Sequence, residues 1–388
     1  PIDFGAKLRD YQRAGLNWLY FLYRYSVNGC LADDMGLGKT VQTLALLQKL
    51  KEEGNLECAL IVAPVNTLAN WDEEIKRFTP RLSVLVHHGP GRRKDTEVFS
   101  EFDLILTSYH TVRNDVSLFT SHEFTYLVLD ESQTIKNPSS QLFKCARMLR
   151  ADHRLSLTGT PVENHTTELW AQMSFLNPGL LGTFASFKRR FVRAIEEKEN
   201  PQKIEELSRV VFPFILRRKK VDVLKELPAK EEIILYAEME TRQRSAYNEI
   251  KARYQQRVLE HIDNEGINRS GIVIIEALTK LRQAAILPEM VSHTYAGIPS
   301  CKFDLFFSVI EDIIEEGYKV IVFSQFLHSL DVMRRWFTKH TIEFSYIDGS
   351  TTNRAKEIQR FQEDPLRKAF LISLKADRKS TRLNSSHY

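Results

Sequence analysis

An eight-residue loop at residues 33–40, Asp-Asp-Met-Gly-Leu-Gly-Lys-Thr, constrains the fold of this 388-residue chain more than any other segment. The apolar residues 29–32 before it predict a short buried strand, and apolar positions recur at near-helical spacing over residues 40–50. A strand, a glycine-rich loop ending in Gly-Lys-Thr and a helix form the context of a phosphate-binding loop. The sequence therefore predicts a nucleotide site, although Asp33 stands where the strict motif has glycine. The alternative is an ordinary strand-to-helix turn.

The residue types in this loop suit a nucleotide. Glycines let backbone N–H groups turn around a phosphate at a helix N-terminus, where the helix dipole favours anions. The lysine is expected to reach the β- and γ-phosphates, and the threonine hydroxyl to hold Mg²⁺. A glutamine in the aromatic-rich helix before the loop is a candidate to read adenine, with a plain surface residue as its alternative. The predicted ATP-binding residues are Gln12, Asp34, Met35, Gly36, Leu37, Gly38, Lys39 and Thr40.

Composition sets broad limits on the partners of the chain. Lys plus Arg number 54 against 50 for Asp plus Glu, so the net charge of +4 permits a nucleic-acid partner without requiring one. The four cysteines are far apart and form no Cys-x-x-Cys pair, which argues against a disulfide framework or a zinc site and favours a reducing compartment. No apolar run approaches the ~20 residues that span a bilayer, so no membrane partner is expected. The chain begins at proline without a methionine, so we expect a fragment.

Short apolar strands alternate with helices along the first part of the chain. This alternation predicts an α/β fold with a parallel sheet covered on both faces, whose strand ends and following loops share one edge. From residue 177 to residue 300 long helical stretches dominate, interrupted by one strand-like segment at 232–236. The alternation then resumes, as expected for a second α/β lobe that is cut short. The predicted domains are residues 1–176, 177–300 and 301–376, followed by a tail at 377–388.

Two further motifs follow predicted strands. Asp130 is expected to help hold Mg²⁺ together with Thr40, and Glu131 to orient or deprotonate the attacking water. With Lys39 they form the predicted catalytic set; a solvated acidic strand end is the alternative. The segment Thr158, Gly159 and Thr160 suits a switch that senses the γ-phosphate, although alone it is an ordinary turn.

Weaker signals indicate nucleic acid. Hydroxyl, amide and indole groups at the same sheet edge suit phosphate oxygens, and a run of four cations at residues 217–220 suits a phosphate backbone. A solvated charged face explains the cation run equally well. The candidate DNA contacts are Thr67, Asn70, Trp71, Ser108, Arg217 and Arg218.

The order of these motifs resembles that of the Swi/Snf-type ATPases, the DNA-translocating branch of helicase superfamily two. The matching segments extend from about residue 8 to residue 376, and three of them, DDMGLGKT, DESQTIKN and LTGTPVEN, are highly specific as a set. The resemblance implies two RecA-like lobes with helical segments between them, the second incomplete here. It also implies ATP and Mg²⁺ as cofactors, and movement along double-stranded DNA driven by ATP hydrolysis, with DNA-bound proteins as further candidate partners. In the family pattern Gln12 contacts the adenine. The predicted coupling residues are Gln133, Thr158, Gly159 and Thr160.

Three departures from the family pattern affect these expectations. Asp34 replaces the usual glutamate, and Gln133 replaces a frequent histidine, as in some bacterial relatives. We therefore expect a bacterial cytoplasm or nucleoid, or a nucleus if the source is eukaryotic. Residues 377–388 stand where the family has a glycine-rich segment and then a Gln…Arg-x-x-Arg motif with the arginine finger, and they resemble translated adapter DNA.

An arginine finger contributes about 10³–10⁵ in rate, so we expect this chain to bind nucleotide with little turnover. The main alternative function is a non-hydrolysing nucleotide- or DNA-binding module. A small-molecule kinase is disfavoured because it leaves DESQ, LTGTP and the second lobe without a role.

Overall fold

The computed structural model describes residues 4–95, 97–159, 165–197, 200–223 and 232–374. The chain divides into two compact units, Pro1–Lys230 and Glu231–Tyr388, and each contains its own sheet. The domain boundaries expected after residues 176, 300 and 376 stay predictions.

The first unit contains a seven-stranded sheet in which every pair of neighbours is parallel, in the order β3-β4-β2-β5-β6-β1-β7. The strand at Ala59–Ala63 is apolar and buried along its whole length, and the strand at Leu104–Ser108 is buried throughout, as expected when helices cover both faces of a parallel sheet. The strands are β1 (Gly29–Leu31), β2 (Ala59–Ala63), β3 (Val84–His87), β4 (Leu104–Ser108), β5 (Glu123–Leu129), β6 (Arg150–Leu157) and β7 (Ile215–Leu216).

Helices pack on both faces of this sheet, and one apolar core lies on each side. The predicted α/β class with a doubly covered parallel sheet is therefore confirmed. A π-helix at Lys188–Glu197 and several short 3₁₀ turns accompany the α-helices. These are α1 (Asp10–Arg24), α2 (Lys39–Glu52), α3 (Leu68–Phe78), α4 (Tyr109–Asn114), α5 (Val116–Thr120), α6 (Gln141–Met148), α7 (Thr166–Leu176), α8 (Phe184–Phe187), α9 (Pro201–Val211) and α10 (Lys220–Val223).

The second unit contains a three-stranded parallel sheet in the order β8-β10-β9. Its strands are β8 (Val320–Ser324), β9 (Glu343–Ile347) and β10 (Arg367–Ser373). Two long helices precede it, and three more alternate with its strands, as the sequence predicts. The five are α11 (Thr241–Glu265), α12 (Gly271–Ile286), α13 (Cys301–Glu315), α14 (Leu327–Lys339) and α15 (Arg354–Glu363). None of the helices in the described part of the chain is both long and apolar enough to cross a membrane.

The strand expected at residues 232–236 is wrong. Residues 232–240 have no regular secondary structure, and the apolar side chains Ile233, Ile234 and Tyr236 are exposed. The apolar pattern is suited to a strand, but a strand needs a hydrogen-bonded neighbour, and neither sheet provides one here.

Reciprocal hydrogen bonds hold the start of β1 against the end of α7. The backbone N–H of Asn28 donates to Oδ1 of Asn177 (3.1 Å), and Nδ2 of Asn177 donates to the carbonyl of Asn28 (2.9 Å). The Asn28 side chain in turn donates to the carbonyl of Leu176 (2.8 Å) and accepts from the backbone N–H of Arg154 (2.6 Å). Two side-chain amides thus fix the position of the strand that leads into the glycine loop.

We predict that Asn177→Ala destabilises the first unit by about 1–3 kcal/mol, because it leaves two half-buried backbone groups of Asn28 without partners. Urea unfolding measures the loss. The matched variant Asn17→Ala, at an exposed position of α1, is expected to stay within about 0.5 kcal/mol of the parent chain. Equal effects of the two variants would contradict this role.

Candidate nucleotide site

The strand ends of the first sheet line up at one edge. Leu31, the last residue of β1, lies opposite Leu157 at the end of β6 and Leu216 at the end of β7. Leu129, which ends β5, pairs with Ser156. Because the strands are parallel, the loops that follow them leave the sheet at the same edge, where ligands bind in open α/β sheets. The glycine loop, the acidic pair after β5, the turn after β6 and the cation run after β7 are therefore neighbours.

The glycine loop has the geometry of an anion site. Gly36 (φ 83°) and Gly38 (φ 77°) are both in the left-handed region, which glycine adopts at little cost. Gly38 is also the N-cap of α2, so the positive end of the helix dipole lies at the loop. Nζ of Lys39 donates to the carbonyl of Asp33 (2.7 Å) in the same loop. The backbone, the dipole and the cation together fit a phosphate group.

Gln12 lies against this loop. Its Nε2 donates to the carbonyl of Leu37 (3.3 Å), and its Oε1 accepts from the backbone N–H of Arg9 (2.9 Å). A Cβ on Gly38 would come within 2.6 Å of Nε2 of Gln12, so a side chain at this position would displace the Gln12 amide from the loop. The adenine role of Gln12 stays a prediction. In the loop itself Met35 is exposed and Leu37 is buried.

Asp130 is the half-buried acid of the site. Its Oδ2 accepts from the indole Nε1 of Trp71 (2.8 Å), its Oδ1 accepts from the backbone N–H of Glu131 (2.9 Å), and its carbonyl accepts from the hydroxyl of Tyr109 (2.6 Å). Burial raises the pKa of Asp130, while the indole bond and the charge of Lys39 act in the opposite direction. A divalent cation would favour the ionised form. Oxygen ligands suit Mg²⁺, so Asp130 and the Thr40 hydroxyl fit such an ion.

Three predicted residues form one hydrogen-bonded chain. Gln133 donates from Nε2 to Oε2 of Glu131 (2.6 Å), and Thr158 donates from Oγ1 to Oε1 of Gln133 (2.9 Å). Glu131 is also held at φ 47°, a strained conformation for a residue with a side chain, and such strain clusters at functional sites. The structure thus connects the candidate base to the turn after β6. Gly159 follows in that turn, and Thr160 lies outside the described residues.

Two candidate DNA contacts are corrected by the structure. Trp71 is 1% exposed and uses its indole to hold Asp130, so it packs inside the first unit. Ser108 is also buried, and its Oγ accepts from the backbone N–H of Thr111 (3.2 Å) as the N-cap of α4. A polar group at a strand end can serve the protein's own helices as well as a ligand, and the sequence does not distinguish the two.

Arg218 also has an internal partner. Its guanidinium pairs with the buried carboxylate of Asp33, with Nε 2.9 Å from Oδ1, and it therefore does not present a free charge to DNA. Among the other candidates Asn70 and Arg217 are exposed and Thr67 is half-buried. Sequence reasoning missed the Asp33–Arg218 pair. The signal was present, since an aspartate in place of a loop glycine requires a cation if it is buried.

Comparisons with known proteins agree with this geometry. The model of the SNF2-related domain matches residues 11–290. The chain is 32% identical to the ATP-dependent DNA helicase DDM1 of Arabidopsis thaliana, over 97% of this chain and 53% of the relative. It is also 32% identical to the putative ATP-dependent helicase/translocase YwqA of Bacillus subtilis, over 100% of this chain and 43% of the relative.

A solved structure is similar over both units. The SWI2/SNF2 ATPase core of Sulfolobus solfataricus in complex with dsDNA is 35% identical, with a TM-score of 0.57, and the match covers 96% of this chain and 79% of that one.

The chain therefore belongs to the SNF2 family of helicase-like ATPases. It spans about half, or less, of the length of the curated relatives named above.

We predict that Trp71→Phe destabilises the first unit by about 2–4 kcal/mol at neutral pH, because it removes a hydrogen bond to a half-buried carboxylate and some packing. The bond favours ionised Asp130, so its share of the loss is present above the pKa of Asp130 and disappears as the pH falls through that pKa. Urea unfolding across pH measures both effects.

The control for this variant is Trp18→Phe. The indole of Trp18 is half-buried and makes no hydrogen bond within the described residues, so its shortening is expected to cost about 1 kcal/mol at every pH. A pH-independent loss for Trp71→Phe would contradict the indole–carboxylate bond.

Proposed function

We propose that this chain is the motor portion of an ATP-dependent DNA translocase, which binds Mg²⁺-ATP at the glycine loop and couples hydrolysis to movement on duplex DNA. The observation that carries the proposal is that three features meet at one sheet edge: Lys39 in the glycine loop, the half-buried Asp130, and the hydrogen bonds from Glu131 through Gln133 to Thr158. These hydrogen bonds connect the water-activating residue directly to the turn after β6, so a change at the nucleotide can alter the position of that turn.

The proposed roles follow from position and chemistry. Lys39 moves from the carbonyl of Asp33 to the β- and γ-phosphates, since the phosphate offers a stronger charge-assisted bond. Thr40 and Asp130 would hold Mg²⁺, which would supply positive charge to the phosphates when bound. Glu131 orients the attacking water and accepts its proton, and Gln133 holds Glu131 in place. Gln12 reads the adenine.

Double-stranded DNA is the proposed partner, by analogy with the Sulfolobus core, whose structure contains dsDNA, and DNA-bound proteins are proposed further partners. Thr67, Asn70 and Arg217 are the proposed DNA contacts that the structure leaves accessible or half-accessible. The proposed location is a DNA-containing compartment, either the bacterial cytoplasm or a eukaryotic nucleus.

We expect Glu131→Gln to lower the limited DNA-stimulated ATP hydrolysis of this chain by at least about 100-fold, since it removes the general base. Binding of a fluorescent ATP analogue should stay within about threefold of the parent chain, because the glycine loop is intact. Lys39→Ala should instead weaken that binding by about tenfold or more.

The matched control for the first variant is Glu73→Gln, which neutralises an exposed glutamate of α3 and is expected to change neither quantity. Nucleotide binding in the parent chain with no hydrolysis above that of Glu131→Gln would favour a non-hydrolysing binding module. Absence of binding in the parent chain would contradict the nucleotide site itself.

Arg217→Ala is expected to weaken binding to duplex DNA similarly for different sequences and to reduce the salt dependence of the affinity by about one unit of slope, as for loss of one phosphate contact. Fluorescence anisotropy between low and physiological salt measures both. Lys94→Ala, which removes another exposed cation of the first unit, is the control. If both variants lower the affinity equally, Arg217 contributes only through net charge.

A further inference from the structure

The aspartate that replaces the first glycine of the strict loop motif has a structural partner. Asp33 is fully buried, and an unpaired carboxylate in that position would be strongly unfavourable. Arg218 contacts both of its oxygens through Nε and Nη2, the bidentate arrangement that gives the strongest ion pairs. Nε2 of Gln42 donates to the same carboxylate (3.2 Å). Each polar atom of the Asp33 side chain is therefore satisfied.

Arg218 also connects the segment after β7 to three other parts of the first unit. It donates to the carbonyl of Tyr11 in α1 and to Oε1 of Gln42 in α2 (2.7 Å). Both groups pack closely against α1, because a Cβ on Gly15 would lie 1.8 Å from the Gln42 oxygen and 2.8 Å from the guanidinium. Four acceptor atoms, in α1, α2 and the glycine loop, therefore hold Arg218 in this position.

Backbone hydrogen bonds also join the segment after β7 to the glycine loop. The N–H of Ala32 donates to the carbonyl of Leu216 (2.7 Å), and the N–H of Asp34 donates to the carbonyl of Arg218 (3.0 Å). One step further, the N–H of Lys220 donates to the carboxylate of Asp34 (2.9 Å). The segment 216–220 therefore runs beside the loop in a fixed register.

This register brings a second lysine to the loop. Nζ of Lys220 lies 3.8 Å from the place that a Cβ on Gly36 would occupy, and Gly36 is one of the two left-handed glycines that shape the anion site. Lys220 is exposed, and none of the carboxylates in the described ranges lies within 4.0 Å of its ammonium. The ammonium of Lys39, by contrast, is bound to a loop carbonyl.

We propose that Lys220 is a second phosphate-binding lysine of the nucleotide site and that Arg218, through Asp33, is the residue that positions it. The proposal rests on the proposed function, since it adds a contact to the same nucleotide site. A free cation beside an anion-binding loop adds a charge-assisted hydrogen bond to a phosphate oxygen. The ion pair between Arg218 and Asp33 keeps that cation in reach of the phosphates before nucleotide binds.

The test compares nucleotide affinities of the full chain. Lys220→Met is expected to weaken binding of a fluorescent ATP analogue about tenfold and to leave adenosine binding unchanged, because only the phosphates are contacted. Lys220→Arg should keep most of the affinity, and the neighbour Lys219→Met, also exposed, should change nothing. Parent-like ATP affinity in Lys220→Met would overturn the phosphate contact. If the parent chain binds no ATP, or Lys39→Ala binds as well as the parent, the proposed function fails instead.

A second comparison tests the positioning role. Arg218→Met alone leaves a buried charge and can prevent folding, so the double variant Asp33→Asn, Arg218→Met is used, in which both charges are removed. In that background Lys220→Met is expected to lower ATP affinity by less than about threefold, because the lysine no longer has a fixed position. A full tenfold loss in the double variant would overturn the positioning role of Arg218, while the phosphate contact of Lys220 would stand.

Discussion

The position of β1 between β6 and β7 is the constraint on which the site depends. This strand has only three residues, yet it pairs on both sides, and the asparagines at residues 28 and 177 fix its start. Because all seven strands are parallel, fixing β1 also fixes where the glycine loop leaves the sheet relative to the turn after β6 and the segment after β7. A short strand next to the edge of the sheet is sufficient here because its neighbour β6 fixes the register.

The environments of two carboxylates, the buried Asp33 and the half-buried Asp130, are the second organising feature, and they differ. The carboxylate of Asp33 forms a bidentate ion pair with the guanidinium of Arg218, and this ion pair attaches the glycine loop to the segment after β7. Asp130 receives only neutral donors, from the Trp71 indole and a backbone N–H, and burial raises its pKa. A carboxylate paired on both oxygens with a guanidinium holds structure together, whereas a carboxylate bonded only to neutral donors is available for a metal ion. The difference between the two environments agrees with their proposed roles.

Most of the first unit follows from local pattern. The strands and helices of the α/β alternation are present within a few residues of the expected positions, since short apolar strands and amphipathic helices have distinct periods. The exceptions involve partners that are distant in sequence. Residues 232–236 have a strand pattern but no strand to pair with, and the two-residue strand β7 forms only because β1 offers a free edge. Pairing is decided by the whole sheet, and no local window contains that information.

For the site, the sequence by itself determined which residue types stand at the strand ends: the glycine loop with Lys39, the acidic pair at residues 130 and 131, and Thr158. These follow from motif spacing, because parallel strands deliver their following residues to one edge. Only the tertiary structure decided what each neighbouring side chain does. The Trp71 indole donates to Asp130, Ser108 caps a helix, and Arg218 pairs with Asp33, which lies 185 residues earlier in the chain. The physical reason is that a polar side chain near the site can satisfy either a ligand or a buried group of the protein, and which one it contacts depends on burial, a property of the packed chain.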